Sequence, residues 1–312
     1  MKTKHLSLLV AAGFVAAMAG AVRADDKPKH DTMKSKTSAG DVQYEGVFNG
    51  SRGSKLIGAD VKNNAGKDLG EIKDIVVDPQ SGRVAYAVLQ FGGFLGMGDK
   101  LFAIPWHSLT IESNDLVKLD IDKSQLKEST GFDQDHWPNM ADQKWATETH
   151  RRFNQKPYWE TGVNEVGVNT GNADNSMNNE RVRALPVCKL SDIIGHDIEN
   201  NMDKDLGDIN DVVLDSNRGQ IAYAVLGVGG FIGIGEDLVA VPWDKLDVRI
   251  ANDDTTVRLA MTEKELKDGP HFSKDKWPNA DDKDYMIRVY TYYDAEPYWQ
   301  MGNNRVSSAR NP

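Results

Sequence analysis

The chain carries one module twice, and this duplication constrains its fold more than any other feature. Leu56-Ile57-Gly58 through Pro105-Trp106 returns as Ile193-Ile194-Gly195 through Pro242-Trp243, 137 residues further on and without a gap. A three-residue lengthening between Ile111 and Leu259 moves the spacing to 140. At that spacing Trp137-Pro138-Asn139 pairs with Trp277-Pro278-Asn279, and Pro157-Tyr158-Trp159 with Pro297-Tyr298-Trp299. Such a repeat is one supersecondary unit used twice. Positions that keep their residue type in both copies report what the geometry demands, so packing can be separated from chemistry within a single sequence.

Each copy reads as short apolar strands broken by turn residues. In the first, Leu69-Gly70-Glu71-Ile72 opens a strand to Asp78, Pro79-Gln80-Ser81-Gly82 turns the chain, and Val84 to Phe91, Leu101 to Trp106 and Leu116 to Ile121 follow. The second gives Ile209 to Asp215, Ser216-Asn217-Arg218-Gly219, Ile221 to Val228, Leu238 to Trp243 and Thr256 to Ala260. With no long amphipathic segment between strands, βαβ crossovers are excluded. The expected class is all-β: two small antiparallel barrels, closed to remove their strand edges, with short helices and irregular aromatic-rich extensions. Thr262 with Glu265 three positions on predicts a capped short helix, and Ser124 to Lys127 is its weaker counterpart. Alternation of Tyr285, Ile287, Val289 and Thr291 with Met286, Arg288 and Tyr290 suggests an extra strand. A module of about 75 residues is marginal alone, so the two copies are expected to pack as a pseudo-twofold pair.

Lys2 and Lys4, the apolar run Leu6 to Ala21 and then Val22-Arg23-Ala24 form a secretory signal, too short for a spanning helix of roughly 20 residues. The chain then divides into a signal peptide (1–24), a flexible tether (25–54), the first module (55–128) and an aromatic-rich extension (129–159). An Asn/Gly-rich linker and lead-in (160–187), the second module (188–268), and a second extension with the tail (269–312) complete it. Removing Lys2, Lys4 and Arg23 takes the formal charge from -10 to -13 over the remaining 288 residues, which disfavours nucleic acid and anionic lipid. No integral membrane segment is expected after cleavage, and the expected location is the periplasm. Cys188, the single cysteine, makes no intrachain disulfide and reads as a small buried hydrophobe.

Catalytic and metal signals are weak. The glycine loops Gly92-Gly93-Phe94-Leu95-Gly96-Met97-Gly98 and Gly229-Gly230-Phe231-Ile232-Gly233-Ile234-Gly235 precede strands, whereas a phosphate loop precedes a helix. They read as structural connections through Gly92, Gly93, Gly96, Gly98, Gly229, Gly230, Gly233 and Gly235, plugged by Phe94 and Phe231. Asp74 and Asp78 stand four apart on a strand, about 13 Å by strand rise, too far to share an ion, as do Asp211 and Asp215. His30, His107, His136, His150, His196 and His271 show no metal spacing, and no nucleophile elbow occurs, so neither a catalytic residue nor a cofactor is expected. Tyr86, Trp106, Tyr223 and Trp243 recur in register as barrel core, and Trp159 and Trp299 are candidates for an interface.

Lys55-Leu56-Ile57-Gly58, Leu69 to Ile72, Asp74 to Asp78, Gly82-Arg83-Val84, the glycine loop and Ala103-Ile104-Pro105-Trp106, with their second-copy counterparts, resemble the PRC-barrel domain. The resemblance covers about half of the mature chain. It implies a small β-barrel related to the extramembranous domain of the photosynthetic reaction-centre H subunit and to the C-terminal domain of a ribosome-maturation factor. It also implies docking or assembly and supplies no catalytic residue. The functional expectation is a non-enzymatic exported adaptor or assembly protein with an envelope protein as partner. The alternatives are a small ligand held between the barrels, near Tyr86, Tyr223, Trp106 or Trp243, and an enzyme of unknown reaction.

Overall fold

The computed structural model describes residues 44, 46–91, 100–128, 131–160, 186–228, 237–251 and 254–300. All of them belong to one compact unit, Thr37–Pro312. The segment read as a signal peptide and the eight glycines and two phenylalanines of the glycine loops lie outside the described residues.

The first sheet contains β2 (Asp60–Lys62), β3 (Asp68–Val77), β4 (Val84–Phe91), β5 (Lys100–Pro105), β6 (Leu109–Ser113) and β7 (Leu116–Leu119). Its pairing order is β5-β4-β3-β2-β7-β6. The second contains β9 (Asp197–Glu199), β10 (Asp205–Asp215), β11 (Gln220–Val228), β12 (Asp237–Pro242), β13 (Leu246–Ala251), β14 (Asp254–Leu259) and β15 (His271–Ser273), in the order β13-β14-β9-β10-β11-β12-β15. The expected all-antiparallel pairing is corrected by two parallel pairs, and closure of the sheets is not seen among the described residues. Among the described residues no pairing joins the two ends of either sheet, and β2 with β7 and β9 with β14 are parallel.

Two short strands cross between the modules. β1 (Gly50–Arg52), which leads into the first module, pairs with β10 of the second, in the register Gly50 to Asp215 and Arg52 to Val213. β8 (Cys188–Lys189), which leads into the second, pairs with β3 of the first, with Cys188 opposite Val77. Residues 50–54, assigned by sequence to a flexible tether, are therefore β1 and the start of a helical turn, α1 (Gly53–Leu56). Tyr44 and Phe48, from the same stretch, are buried against the second module.

The central strands are buried on both faces, so alternation is hidden in their sequence. In β4, Val84, Ala87 and Leu89 enter a core shared by the two modules, whereas Ala85, Tyr86 and Val88 enter a separate outer cluster. The switch of face falls where the β3–β4 register shifts between Val76 and Val77, because one extra residue reverses every later side chain. β10 and β11 repeat the shift between Val213 and Leu214.

Short helices occur in α2 (Lys123–Glu128) and α4 (Glu263–Lys267), the latter with the Thr262–Glu265 capping box. The extensions are not irregular over their whole length. Each contains a ten-residue helix, α3 (Gln143–Arg152) or α5 (Lys283–Tyr292), that lies over the outer face of its sheet. Asp142 and Asp282 cap them by accepting from the amides of Trp145 and Tyr285. The segment expected as a strand over Tyr285–Thr291 is this helix: Tyr285, Met286, Val289 and Tyr290 are its buried side, an i, i+1, i+4, i+5 stripe that a two-residue period cannot produce.

Candidate functional site: the inter-module seam and the outer aromatic faces

The seam is built from pairs of contacts that repeat 137 residues apart. The indole N–H of Trp106 donates to the Ser216 carbonyl at 2.9 Å, and that of Trp243 donates to the Pro79 carbonyl at 3.0 Å. The amide of Val84 donates to Gly219 O and that of Ile221 to Gly82 O, both at 2.8 Å. Each β-hairpin tip thus sits beneath the other module's tryptophan. Gly82 and Gly219 have φ of +70° and +59°, and a Cβ on either would lie 2.6 or 2.7 Å from the facing indole. Both backbone conformation and close approach therefore call for glycine. Reciprocal contacts of this kind are the signature of isologous, pseudo-twofold packing.

The aspartates that sequence reading weighed as metal ligands serve the same seam. Asp211 accepts from the Ser54 hydroxyl at 2.6 Å, the Ser54 amide at 3.0 Å and the Arg52 guanidinium at 2.9 Å. Asp74 accepts from the Ser191 hydroxyl at 2.5 Å and its amide at 3.2 Å. Each carboxylate holds the turn that follows the crossing strand of the opposite module. Burial pushes the Asp74 carboxyl above the ordinary carboxylate range, against the Ser191 hydroxyl that favours its charge. Among the described residues no group of three or more His, Cys, Asp and Glu is placed to hold a metal ion.

Asp78 and Asp215 close the hairpin tips. Asp78 accepts from the Gln80 amide at 2.9 Å and the Ser81 hydroxyl at 2.7 Å. Asp215, fully buried, accepts from the phenols of Tyr44 at 2.5 Å and Tyr298 at 2.9 Å and from the Arg218 guanidinium at 3.3 Å. Arg218 also donates to the Tyr44 hydroxyl and lies 4.2 Å over its ring. Burial raises the Asp215 carboxyl to about 6, opposed by the Tyr298 phenol and the Arg218 and Asn217 amides.

The residues expected as barrel core separate into two places. Trp106 and Trp243 join the shared core. Tyr86 and Tyr223 lie on the outer faces, under α3 and α5. Tyr86 packs against Trp145 at 5.6 Å, His150 at 5.1 Å and Tyr158 at 6.2 Å, and Tyr223 against Tyr285 at 6.0 Å. Trp159 and Trp299, the interface candidates, are half-buried against Tyr158 at 5.0 Å and Tyr298 at 4.9 Å.

His150, which the sequence analysis weighed only as a histidine without metal spacing, is a buried titratable group, and the signal for its packing role was its replacement by Tyr290 in the second copy. Its Nδ1 lies 2.8 Å from the Ala146 carbonyl and 3.4 Å from the Tyr86 hydroxyl, so the shorter contact takes the Nδ1 proton. Burial lowers its pKa and raises that of Tyr86, leaving both neutral. The pair is buried between α3 and β4 and serves packing. Cys188 is buried in β8, its thiol directed to the Val77 carbonyl at 3.8 Å, and burial pushes it up to about 12.

Comparison with known families matches residues 48–126 and 187–259 to the PRC-barrel domain. The chain carries two PRC-barrel domains in tandem. The first match begins at residue 48, so it includes the crossing strand β1. No curated protein matches the chain. Among the described residues no helix is long and apolar enough to cross a membrane.

Proposed function

We propose that this tandem PRC-barrel protein is an exported, non-enzymatic adaptor that supports assembly of an envelope complex in the periplasm. The observation that carries this reading is the shared core: residues of both PRC domains form one buried apolar cluster, locked by reciprocal tryptophan, glycine and aspartate contacts. Chemistry-bearing side chains make internal contacts, Asp74 and Asp211 at the seam, Asp215 at a hairpin tip and His150 on an outer face. Each of these residues is buried. A scaffold of this kind offers its outer surfaces to partners, and those surfaces differ between the two domains. The expected partner is an envelope protein.

The test is crosslinking of a tagged, exported copy in cells, followed by mass spectrometry of the envelope fraction. One reproducible partner joined through a defined face supports the adaptor reading. Self-crosslinks alone, or none, overturn it.

A further inference from the structure

We infer that copies of this protein associate head to tail, the outer face of α3 in one copy meeting the outer face of α5 in the next. The inference stands apart from the adaptor reading, and its partner is a second copy of the chain. α3 and α5 are the same element of the repeat, and they turn equivalent positions inward: Ala146, Thr149 and His150 in one, Met286, Val289 and Tyr290 in the other. Packing against the sheets therefore constrains both helices alike. It leaves Lys144, Glu148 and Arg152 exposed on α3, and Asp284, Arg288 and Tyr292 exposed at the equivalent positions of α5.

A spacing of four residues puts each trio in one row along its helix. Between the rows the charges invert: Lys144 stands where the second copy has Asp284, and Glu148 where it has Arg288. Just past the helices, Lys156 is likewise replaced by Glu296. Tyr292, in place of Arg152, keeps 46% of its surface exposed while its hydroxyl donates to the Glu265 carbonyl at 3.3 Å. Arg288 lies 5.3 Å from the Tyr285 ring, and its N–H groups make no hydrogen bond among the described residues. Lys144, Glu148, Arg152 and Asp284 form no ion pair among the described residues either. The α5 row, with Ile287 and Thr291, borders a shallow depression of about 420 Å³.

Only unlike pairing satisfies these rows. With α3 and α5 antiparallel, Glu148 meets Arg288, Arg152 meets Asp284 and Lys144 meets the Tyr292 ring. With the helices parallel, Glu148 still meets Arg288, while Lys144 and Arg152 exchange their acidic and aromatic partners. One cation faces a carboxylate and the other an aromatic ring in both directions. α3 against α3 would set Glu148 on Glu148, and α5 against α5 would set Arg288 on Arg288. Each helix covers the outer face of its own sheet, away from the shared core, so one copy offers its two rows to two different neighbours. A contact between unlike faces is heterologous and extends by adding further copies.

Sedimentation velocity of the protein over a concentration series up to about 1 mM tests this. The sedimentation coefficient should rise with concentration. Glu148→Arg and Arg288→Glu each set like charges across the contact, and each should weaken association about tenfold or more while the thermal midpoint of the dilute protein stays put. An equimolar mixture of the two variants should associate again, because each supplies the charge that the other lacks. The double variant should associate as well. A sedimentation coefficient independent of concentration would overturn the inference. So would association unchanged in both single variants, or a mixture that associates no better than either variant alone. Crosslinks in cells only between copies joined through α3 and α5 would remove the adaptor reading and leave this inference standing; an envelope partner without self-association would do the reverse.

Discussion

The seam between the PRC domains and the faces they turn outward have diverged to opposite degrees. At the seam, Trp106 and Trp243, Gly82 and Gly219, Asp74 and Asp211, and Ser54 and Ser191 keep both residue type and partner. On the outer faces His150 stands opposite Tyr290 and Trp145 opposite Tyr285, and the crossing strands carry Gly50 in one case and Val187 in the other. A contact that must complement a copy of itself admits few changes, because each substitution has to suit both partners. The outer faces, which meet nothing identical, are free to differ. The difference marks the seam as structure and the outer edges as the place to look for partners.

Trp243→Ala or Trp106→Ala attacks the seam most directly. Each should cost about 3 to 5 kcal/mol in denaturant unfolding, because a buried indole is lost and a carbonyl on the opposite domain loses its donor. Both domains should unfold in one transition. Two separate transitions, or an unchanged midpoint, would break the comparison by showing that the seam does not carry the fold.

Asp215 sharpens the difference between the domains through pH. Its folded pKa of about 6 lies above the ordinary carboxylate value of 3.8, so the folded state holds the proton more tightly than the unfolded chain. Stability is therefore highest below the ordinary value and falls as pH rises towards about 6, by about 3 kcal/mol, after which this contribution is flat. Asp215→Asn should remove that slope in unfolding measured from pH 4 to 7. A slope that persists in the variant assigns it to other groups.

The two seam aspartates allow a finer test. Asp211 binds both Ser54 and the Arg52 guanidinium, whereas Lys189, the counterpart of Arg52, pairs with Asp192. Asp211→Asn should accordingly cost about 1 to 2 kcal/mol more than Asp74→Asn. Equal costs would mean that the guanidinium contributes nothing beyond the serine clasp.

Cys188→Ser should change stability by about 1 kcal/mol or less, since the small side chain keeps its neighbours. A buried thiol raised to about 12 is protonated at neutral pH, so iodoacetamide should label native protein far more slowly than unfolded protein. Rapid labelling of the native state would place the thiol on an open surface.

Much of this architecture could be read from residue order. The duplicated register located both modules, the turn residues bounded β3 with β4 and β10 with β11, and the Thr262 box marked α4. Local patterns failed where two periodicities fit the same residues. Over Tyr285–Thr291 the apolar positions satisfied both a strand and a helix, and the Asp282 cap with burial against the sheet selected the helix. Strand order was not legible either, because strand lengths and turns do not state which edges meet.

The sequence by itself determined that there are two homologous PRC domains and that their repeated tryptophans, glycines and aspartates answer to one geometry. Only the tertiary structure decided what that geometry is for. The crossing strands, the hairpin tips under opposite tryptophans and the aspartate clasps are contacts between residues 110 to 165 positions apart. No local period encodes a partner at that distance. Burying one domain's apolar face against the other supplies the stabilisation that fixes it, and this packing turns carboxylates that could pass for a metal site into the fastenings of a joint.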